Sequence, residues 1–153
     1  MDEPMTIQHV YDGVYIGDVD ALTNKKVLDE LGITLVINCA CELYMKRFKP
    51  QVQWLLYLPL EDAQPIPKDA LVSALVAIKT FREQHKKVLV ACCAGASRSA
   101  SVVIASMLDA GWDFDKALAH IQKIRPVVNP SIEVIDSVKE YFGLNTQEYT
   151  TYG

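Results

Sequence analysis

Residues 88–110, VLVACCAGASRSASVVIASMLDA, join two apolar segments through a short run of small residues. The first segment, VLV, has the continuous apolar character of a strand that is covered on both faces. The second, from Ser99 to Ala110, is apolar on nearly all sides, which is typical of a central buried helix, and Gly111 follows where that helix should end. The stretch therefore predicts a buried strand that leads through a tight turn into a buried helix.

Other segments have the composition of strands. ITLVI at 33–37 and WLLYL at 54–58 are continuous apolar runs that suit buried strands. Nearer the start, residues 7–10 and 14–16 flank the pair Asp12-Gly13, which indicates a β-hairpin.

Helical patterns separate and follow the strands. Asp18 is expected to cap a helix that runs to Leu31, and Pro67 stands where the first residue of a second helix belongs. Further helices are predicted from a cap at Asp113 to a stop at Pro126, and from Ser131 to Phe142. Buried strands that alternate with helices indicate an α/β fold with a mostly parallel central sheet flanked by helices. The length of 153 residues suits one domain, which we place at residues 1–144, with a polar tail at 145–153.

Charge and composition narrow the classes of function. Fifteen basic and 19 acidic side chains give a net charge of −4, which argues against nucleic acid as the main partner. No secretory signal is expected, and no apolar stretch approaches the ~20 residues that a membrane span needs. Four cysteines in a chain without a signal suggest a reducing compartment. We therefore expect a cytoplasmic protein, which leaves access to the nucleus open.

The turn between the strand and the central helix predicts an anion site. The N–H groups at the start of a helix have no partners within the helix, and they lie at the positive end of its dipole. Small residues at 94–97 let the backbone curl closely around a bound group. The planar guanidinium of Arg98 matches two oxygens of a phosphate.

Cys92, at the end of the strand, faces the same site. A thiol near a helix N-terminus and a cation has a strongly lowered pKa, so Cys92 is expected to be largely thiolate near neutral pH. A thiolate nucleophile, a phosphate-shaped loop and Arg98 together predict phosphoryl transfer through a cysteinyl-phosphate.

The segment VACCAGASRS, residues 90–99, resembles the signature of the cysteine-dependent protein phosphatases, Cys-x5-Arg followed by Ser or Thr. It most resembles the dual-specificity branch, whose usual form is V-H-C-x-A-G-x-S-R-S. The resemblance extends over VYDGVYIGD at 10–18, VIN at 36–38, LPLED at 58–62 and IRPVVNP at 124–130. It implies the fold of that family and a mechanism without metal or cofactor. The implied substrates are proteins that carry phosphotyrosine or, alternatively, phosphoserine or phosphothreonine.

The resemblance also implies roles for individual residues. Cys92 rather than Cys93 is the nucleophile, because Arg98 lies six positions after it. Ser99 resembles the hydroxyl that helps the thiolate leave in the second step, and a helix N-cap is the alternative reading. Asn129 matches an Asn that supports the phosphate loop, although Asn-Pro is also common turn chemistry. The phosphate would be bound by the Arg98 side chain and by the backbone amides of Cys93, Ala94, Gly95, Ala96, Ser97 and Arg98.

A leaving oxygen needs a proton, and a positioned acid typically contributes about 10²–10⁴-fold to the rate. Glu61 and Asp62 follow the predicted strand at 54–58. In the family that this chain resembles, a mobile loop at this place supplies an Asp, and Asp62 is the best match. Glu61 is the second candidate, and a solvated loop carboxylate is the alternative reading for Asp62.

One position departs from the family's pattern. The residue before the nucleophile is usually His, which holds the loop and favours the thiolate, but here it is Ala91. The absence of this His is expected to raise the pKa of Cys92 and to loosen the loop. A second hypothesis is therefore a phosphatase-shaped module that binds phosphorylated proteins without turnover. A third hypothesis is a phosphoinositide or RNA-end phosphatase, because these enzymes share the chemistry. The neutral residues at 93–97 favour a singly phosphorylated protein as the substrate instead.

The remaining thiols do not predict a metal site. Neither Cys39 and Cys41 nor the adjacent Cys92 and Cys93 have the spacing of about two to four residues that zinc ligands need. A reversible disulfide of Cys93 with an oxidised Cys92 or with a nearby thiol is a further hypothesis, because cysteines of low pKa oxidise readily. The sequence predicts no oligomeric state.

Overall fold

The computed structural model describes residues 6–43 and 49–144, which form a five-stranded sheet and six helices. The strands are β1 (Ile7–Tyr11), β2 (Val14–Gly17), β3 (Ile33–Ala40), β4 (Trp54–Leu60) and β5 (Lys87–Ala91). The helices are α1 (Val19–Thr23), α2 (Lys25–Leu31), α3 (Lys68–Glu83), α4 (Arg98–Asp109), α5 (Phe114–Ile124) and α6 (Ile132–Tyr141). Within the described ranges, none of these helices is both long enough and apolar enough to cross a membrane. The predicted tail at 145–153 lies outside the described residues, so the domain boundary stays a prediction.

The strands are ordered β1-β2-β5-β3-β4 across the sheet. Among the described strands, only the β1–β2 pair is antiparallel; β2, β5, β3 and β4 run parallel. This arrangement confirms the predicted α/β fold with a mostly parallel sheet. Because β5 is the central strand, its carboxyl end opens at the middle of the sheet edge, where ligand sites of open α/β sheets lie.

The predicted hairpin is present between β1 and β2. Asp12 and Gly13 have φ angles of 45° and 79°, the left-handed pair that a two-residue hairpin turn requires. The turn brings β2 back so that it can pair with β5.

The prediction of a single helix from Asp18 to Leu31 is wrong, because the chain forms two short helices there. Asp18 caps α1 as expected, but Asn24 interrupts the helix with φ and ψ of −94° and 81°. The Asn24 side chain accepts a hydrogen bond from the backbone of Val27 at 3.1 Å and caps α2. Asparagine competes with helical hydrogen bonding in this way, which explains the break. A smaller difference is that Pro67 is the N-cap of α3 rather than its first residue.

Helix α4 lies at the centre of the core, as predicted. Every residue from Arg98 to Met107 is buried, and the helix packs against α3, α5, α6 and the sheet. The Tyr11 hydroxyl donates a hydrogen bond to Ser106 Oγ at 2.9 Å, which ties β1 to the helix. The burial of α4 fixes its N-terminus against the carboxyl end of β5.

Ile104 of α4 is fully buried, and we predict that Ile104→Ala lowers the free energy of unfolding by about 2–5 kcal/mol. The cost combines lost apolar burial with a cavity that the packed core cannot close. Urea unfolding measures it. Val76→Ala on α3, where the side chain is 60% exposed, is the control and should stay within about 0.5 kcal/mol of the parent. Equal midpoints for the two variants would contradict a central position for α4.

Candidate active site

Residues 92–98 form a loop between the carboxyl end of β5 and the first residue of α4. All five backbone carbonyls from Cys93 to Ser97 accept hydrogen bonds from the surrounding protein. The donors, in chain order, are Val19 N (3.1 Å), Arg125 Nη2 (2.9 Å), Arg125 Nε (2.9 Å), Asn129 N (2.8 Å) and Ser101 N (2.8 Å). The carbonyls of this loop, which we call the 92–98 loop, therefore face the scaffold.

The N–H groups of the same loop are left for a ligand. Within residues 6–43 and 49–144, no acceptor takes a hydrogen bond from the backbone N–H of residues 93–98. These groups stand at the N-terminus of α4, where partial positive charge accumulates. The arrangement has the properties of an anion site.

Gly95 makes the close packing of the 92–98 loop possible. Its φ is +64°, and an added Cβ would lie 2.7 Å from the Gly17 carbonyl oxygen. A side chain at this position would meet both backbone strain and a steric clash. The loop consequently lies directly against the end of β2.

Cys92 stands at the base of the loop. It is 2% exposed, and its Sγ lies 3.1 Å from the Oγ of Ser99, which is fully buried. The contact allows a hydrogen bond between hydroxyl and sulfur. The alternative reading of Ser99 as the helix cap is wrong, because Ser97 is the N-cap of α4. The Ser97 Oγ accepts a hydrogen bond from the backbone N–H of Ser131 at 2.9 Å, which ties the loop to the start of α6.

Arg98 is buried and makes a two-pronged ion pair that sequence reasoning missed. Its Nη1 and Nη2 donate to Oε1 and Oε2 of Glu42, each at 2.7 Å, and Nη1 also donates to the Leu60 carbonyl at 3.0 Å. These hydrogen bonds from Arg98 hold the pKa of Glu42 well below its usual range. The one signal in the sequence is that Glu42 comes just after β3, at the sheet edge where the site forms.

Glu42 also binds Cys93. The Cys93 Sγ donates to Glu42 Oε2 at 2.9 Å. Burial, followed by this hydrogen bond, raises the pKa of Cys93 to about 11, so its side chain is a thiol at neutral pH. Cys93 therefore contributes its amide to the loop, while its side chain is committed to Glu42.

The structure distinguishes the two candidate acids. Asp62 lines the cavity of about 270 Å³ at the loop, with Oδ1 3.9 Å from Arg98 Nε, and its side chain is 73% exposed. Glu61 does not line this cavity. The remaining lining residues are Glu42, Cys92, Cys93, Ala94, Ala96, Ser97 and Arg98. Asp62 thus reaches the site, and its role as the acid stays a prediction.

Two residues support the loop from behind. The backbone N–H of Asn129 donates to the Ala96 carbonyl, while the Asn129 side chain is exposed, so the contact does not depend on the amide group. A role for that side chain stays a prediction. Arg125, whose two contacts are given above, was not identified from the sequence as a site residue. Among the described residues, no three His, Cys, Asp or Glu side chains cluster as metal ligands would.

Comparison with known proteins identifies relatives that match most of this chain. Slingshot homolog 3 of Mus musculus is 41% identical over 141 residues, which are 90% of this chain and 21% of that protein. The protein-tyrosine-phosphatase MKP1 of Arabidopsis thaliana is 33% identical over 128 residues, 80% of this chain and 16% of that protein. This chain therefore spans about one fifth or less of the length of these curated relatives.

Solved structures share the fold. Human tyrosine phosphatase-like serine/threonine/tyrosine-interacting protein matches with a TM-score of 0.77 at 27% identity, covering 90% of this chain and 95% of that one. A mouse putative dual specificity phosphatase, complexed with zinc tungstate, matches with a TM-score of 0.82 at 23% identity, covering 99% and 94%. Residues 14–143 match the family model "Dual specificity phosphatase, catalytic domain". These matches confirm the resemblance in the sequence, and the chain belongs to the dual-specificity phosphatase family.

Proposed function

We propose that this domain hydrolyses phosphorylated tyrosine, serine and threonine side chains of proteins through a cysteinyl-phosphate intermediate. One observation carries the proposal: Cys92, Arg98 and Asp62 line a single cavity at the N-terminus of α4. Family membership supports phosphorylated proteins as the substrate class. The cavity supplies the three functions that the reaction needs, namely a nucleophile, an oxyanion-binding group and an acid.

Arg98 retains the donors that suit a phosphate. Glu42 and the Leu60 carbonyl occupy both hydrogens of Nη1 and one of Nη2. The Nε–H and the second hydrogen of Nη2 lie on the same edge of the guanidinium, and no described residue accepts a hydrogen bond from them. Two parallel donors on one edge match two oxygens of a phosphate. Glu42 therefore fixes the plane of the guanidinium and leaves its binding edge open.

In the first step the Cys92 thiolate attacks phosphorus, and an S–P bond forms as the P–O bond to the substrate breaks. Asp62 gives its proton to the departing oxygen. In the second step Asp62 takes a proton from water, whose oxygen attacks phosphorus and expels the Cys92 thiolate. The Ser99 hydroxyl, at 3.1 Å from Sγ, can donate to the negative sulfur as it leaves. Throughout, the loop amides and Arg98 stabilise charge on the equatorial oxygens.

A phosphoprotein-binding module is the second candidate. Ala91, in place of the family's usual His, favours it, and the side chain at this position is fully buried. The relatives include a Xenopus laevis protein named serine/threonine/tyrosine-interacting protein B, 28% identical over 142 residues, 88% of this chain and 64% of that protein. Binding without turnover would use the same loop and Arg98.

A cytoplasmic location, with access to the nucleus, is also part of this proposal. Its support is that Cys39, Cys41, Cys92 and Cys93 are all free thiols. Localisation of a fluorescent fusion of the full-length protein tests it, and a secreted product would overturn it.

We expect the parent protein to hydrolyse p-nitrophenyl phosphate, and Cys92→Ser and Arg98→Ala to abolish the release of p-nitrophenol. The first variant lacks the nucleophile, and the second lacks the side chain that binds the phosphate oxygens. Cys93→Ser is the control, because only its backbone amide is assigned to the phosphate, and it should retain most of the activity. Equal rates for the parent and Cys92→Ser would refute the mechanism. Tungstate binding by a parent that shows no turnover would favour the binding module.

Asp62→Ala should lower kcat for p-nitrophenyl phosphate by about 10²–10⁴-fold, because the leaving oxygen loses its acid. Glu61→Ala removes a neighbouring carboxylate that does not line the cavity, and we expect a change of less than about threefold. Steady-state kinetics at several pH values compares them. A larger loss for Glu61→Ala than for Asp62→Ala would reassign the acid.

Glu42→Gln should lower kcat/KM by about tenfold. A glutamine can accept from one Nη group only, so Arg98 loses its fixed plane, and a misplaced group can cost about 10²-fold. Removing the negative charge also lessens the repulsion between residue 42 and the phosphate, but the Glu42 side chain is half-exposed, and charges near solvent interact by at most about 1 kcal/mol, or roughly fivefold. Misorientation therefore outweighs the gain. An increase in kcat/KM would contradict this positioning role.

The same variant has a pH signature in stability. The pKa of Glu42 is lowered in the folded protein, so its ion pair stabilises the fold fully above its ordinary pKa of 4.5. The contribution is lost as the pH falls from there towards the lowered value. The difference in unfolding free energy between the parent and Glu42→Gln should be constant above about pH 5.5 and decrease below 4.5. A difference that stays constant from pH 7 to pH 3 would contradict this contribution of the ion pair.

A further inference from the structure

We propose that Arg125 is a positioning residue that holds the 92–98 loop in the form that binds phosphate. The proposal rests on the proposed function, and it assigns to Arg125 no contact with the substrate. Arg125 follows α5, is 6% exposed, and directs its guanidinium to the back of the loop. Its Nε and Nη2 donate to the carbonyls of Gly95 and Ala94, each at 2.9 Å.

These two carbonyls differ from their neighbours in how they are held. The carbonyls of Cys93, Ala96 and Ser97 accept hydrogen bonds from backbone N–H groups. Any residue except proline at the donor position would supply such a group. Those of Ala94 and Gly95 accept from one side chain. The centre of the loop is therefore the part whose orientation depends on the identity of a single residue.

The orientation of this part decides whether the loop binds or repels an anion. A rotated peptide at Ala94 or Gly95 would point a carbonyl oxygen into the cavity and withdraw an N–H. That oxygen would face the negatively charged phosphate beside the Cys92 sulfur, so the change would remove an attraction and add a repulsion. Gly95, with φ of +64° and no side chain, offers little resistance of its own to such a rotation. Arg125 supplies the missing resistance.

The guanidinium of Arg125 is also held by residues outside the 92–98 loop. Nη1 donates to Gln8 Oε1 of β1 at 2.6 Å, and Nη2 lies 3.4 Å from Oδ2 of Asp18. Oδ1 of Asp18 caps α1, so the same carboxylate links the helix start to Arg125. Asp18 also provides the opposite charge that a buried guanidinium needs. The hairpin, α1 and the 92–98 loop are thus joined through one side chain.

The test must separate positioning from general stabilisation. Arg125→Met removes the donors and keeps apolar volume, and Arg125→Lys keeps the charge without the planar pair of donors. Arg82→Met is the matched control. Arg82 pairs with Asp12 at 2.9 Å and lies over the Tyr11 ring at 5.0 Å, near the hairpin turn. It makes no contact with the 92–98 loop among the described residues.

Four quantities are measured for each variant at a temperature where it is folded. They are the dissociation constant for tungstate by calorimetry, kcat and KM for p-nitrophenyl phosphate, and the urea midpoint. We expect Arg125→Met to weaken tungstate binding and lower kcat/KM by about 10–100-fold, since losing one oxyanion donor outright costs roughly 10²–10³-fold in kcat. Arg125→Lys should lie between this variant and the parent. Arg82→Met should lower the urea midpoint but change tungstate affinity and kcat/KM by less than twofold.

The outcomes separate this inference from the proposed function. If the Arg125 variants lower the urea midpoint yet bind tungstate as the parent does, the residue is only structural and the inference is wrong. If Arg125→Met does not fold, the same comparison is made with Arg125→Lys. If the parent binds tungstate without turnover and the Arg125 variants lose that binding, the inference stands and the proposed enzymatic function fails. If the folded parent binds no tungstate, both fail.

Discussion

The site depends on one constraint of peptide geometry, which is that a loop can turn its N–H groups towards a ligand only if its carbonyls find donors on the other side. In the 92–98 loop these donors come from the start of α1, from the segment after α5 and from α4 itself. A buried carbonyl without a donor costs about 1–3 kcal/mol, so five together would make the conformation untenable. The surrounding elements therefore determine the shape of the loop. The complete burial of α4 and the hairpin that brings β2 against β5 are the parts of the fold that put these donors in place.

Two buried arginines contact this site from different sides, and their different partners imply different roles. Arg98 is fixed by Glu42 and the Leu60 carbonyl, with one edge of its guanidinium towards the cavity. Arg125 directs its donors at the loop carbonyls and is balanced by Asp18. Burial of a guanidinium is costly unless a carboxylate accompanies it, and each has one. On our proposals, the same chemical group recognises the anion in one case and shapes its binding loop in the other.

The sequence predicts those features that arise from local patterns. A short apolar strand, a run of small residues and an apolar helix led to β5, the 92–98 loop and α4, and the pair Asp12-Gly13 led to the hairpin. The anion site follows from the same stretch, because a strand that ends at a helix N-terminus leaves N–H groups without partners. Asp62 was selected by resemblance, and the structure places it at the cavity.

The features that the sequence did not reveal depend on contacts between distant positions. Glu42 is 56 residues from Arg98, and Arg125 is 30 residues from Gly95, so no local pattern indicates either pair. The break at Asn24 reflects a competition between helix continuation and side-chain capping, which the capping signal at Asp18 does not reveal. Ser97 rather than Ser99 is the N-cap of α4, and residue type alone does not distinguish them because both are serines.

The central claim is that the 92–98 loop presents its amides, together with Arg98, to an oxyanion above the Cys92 sulfur. A crystal structure with tungstate bound tests it most directly. The account predicts tungstate oxygens at about 3 Å from the N–H groups of residues 93–98 and from Nε and Nη2 of Arg98, with the Ala94 and Gly95 carbonyls still bound to Arg125. Tungstate elsewhere, or either carbonyl turned towards the ion, would contradict it.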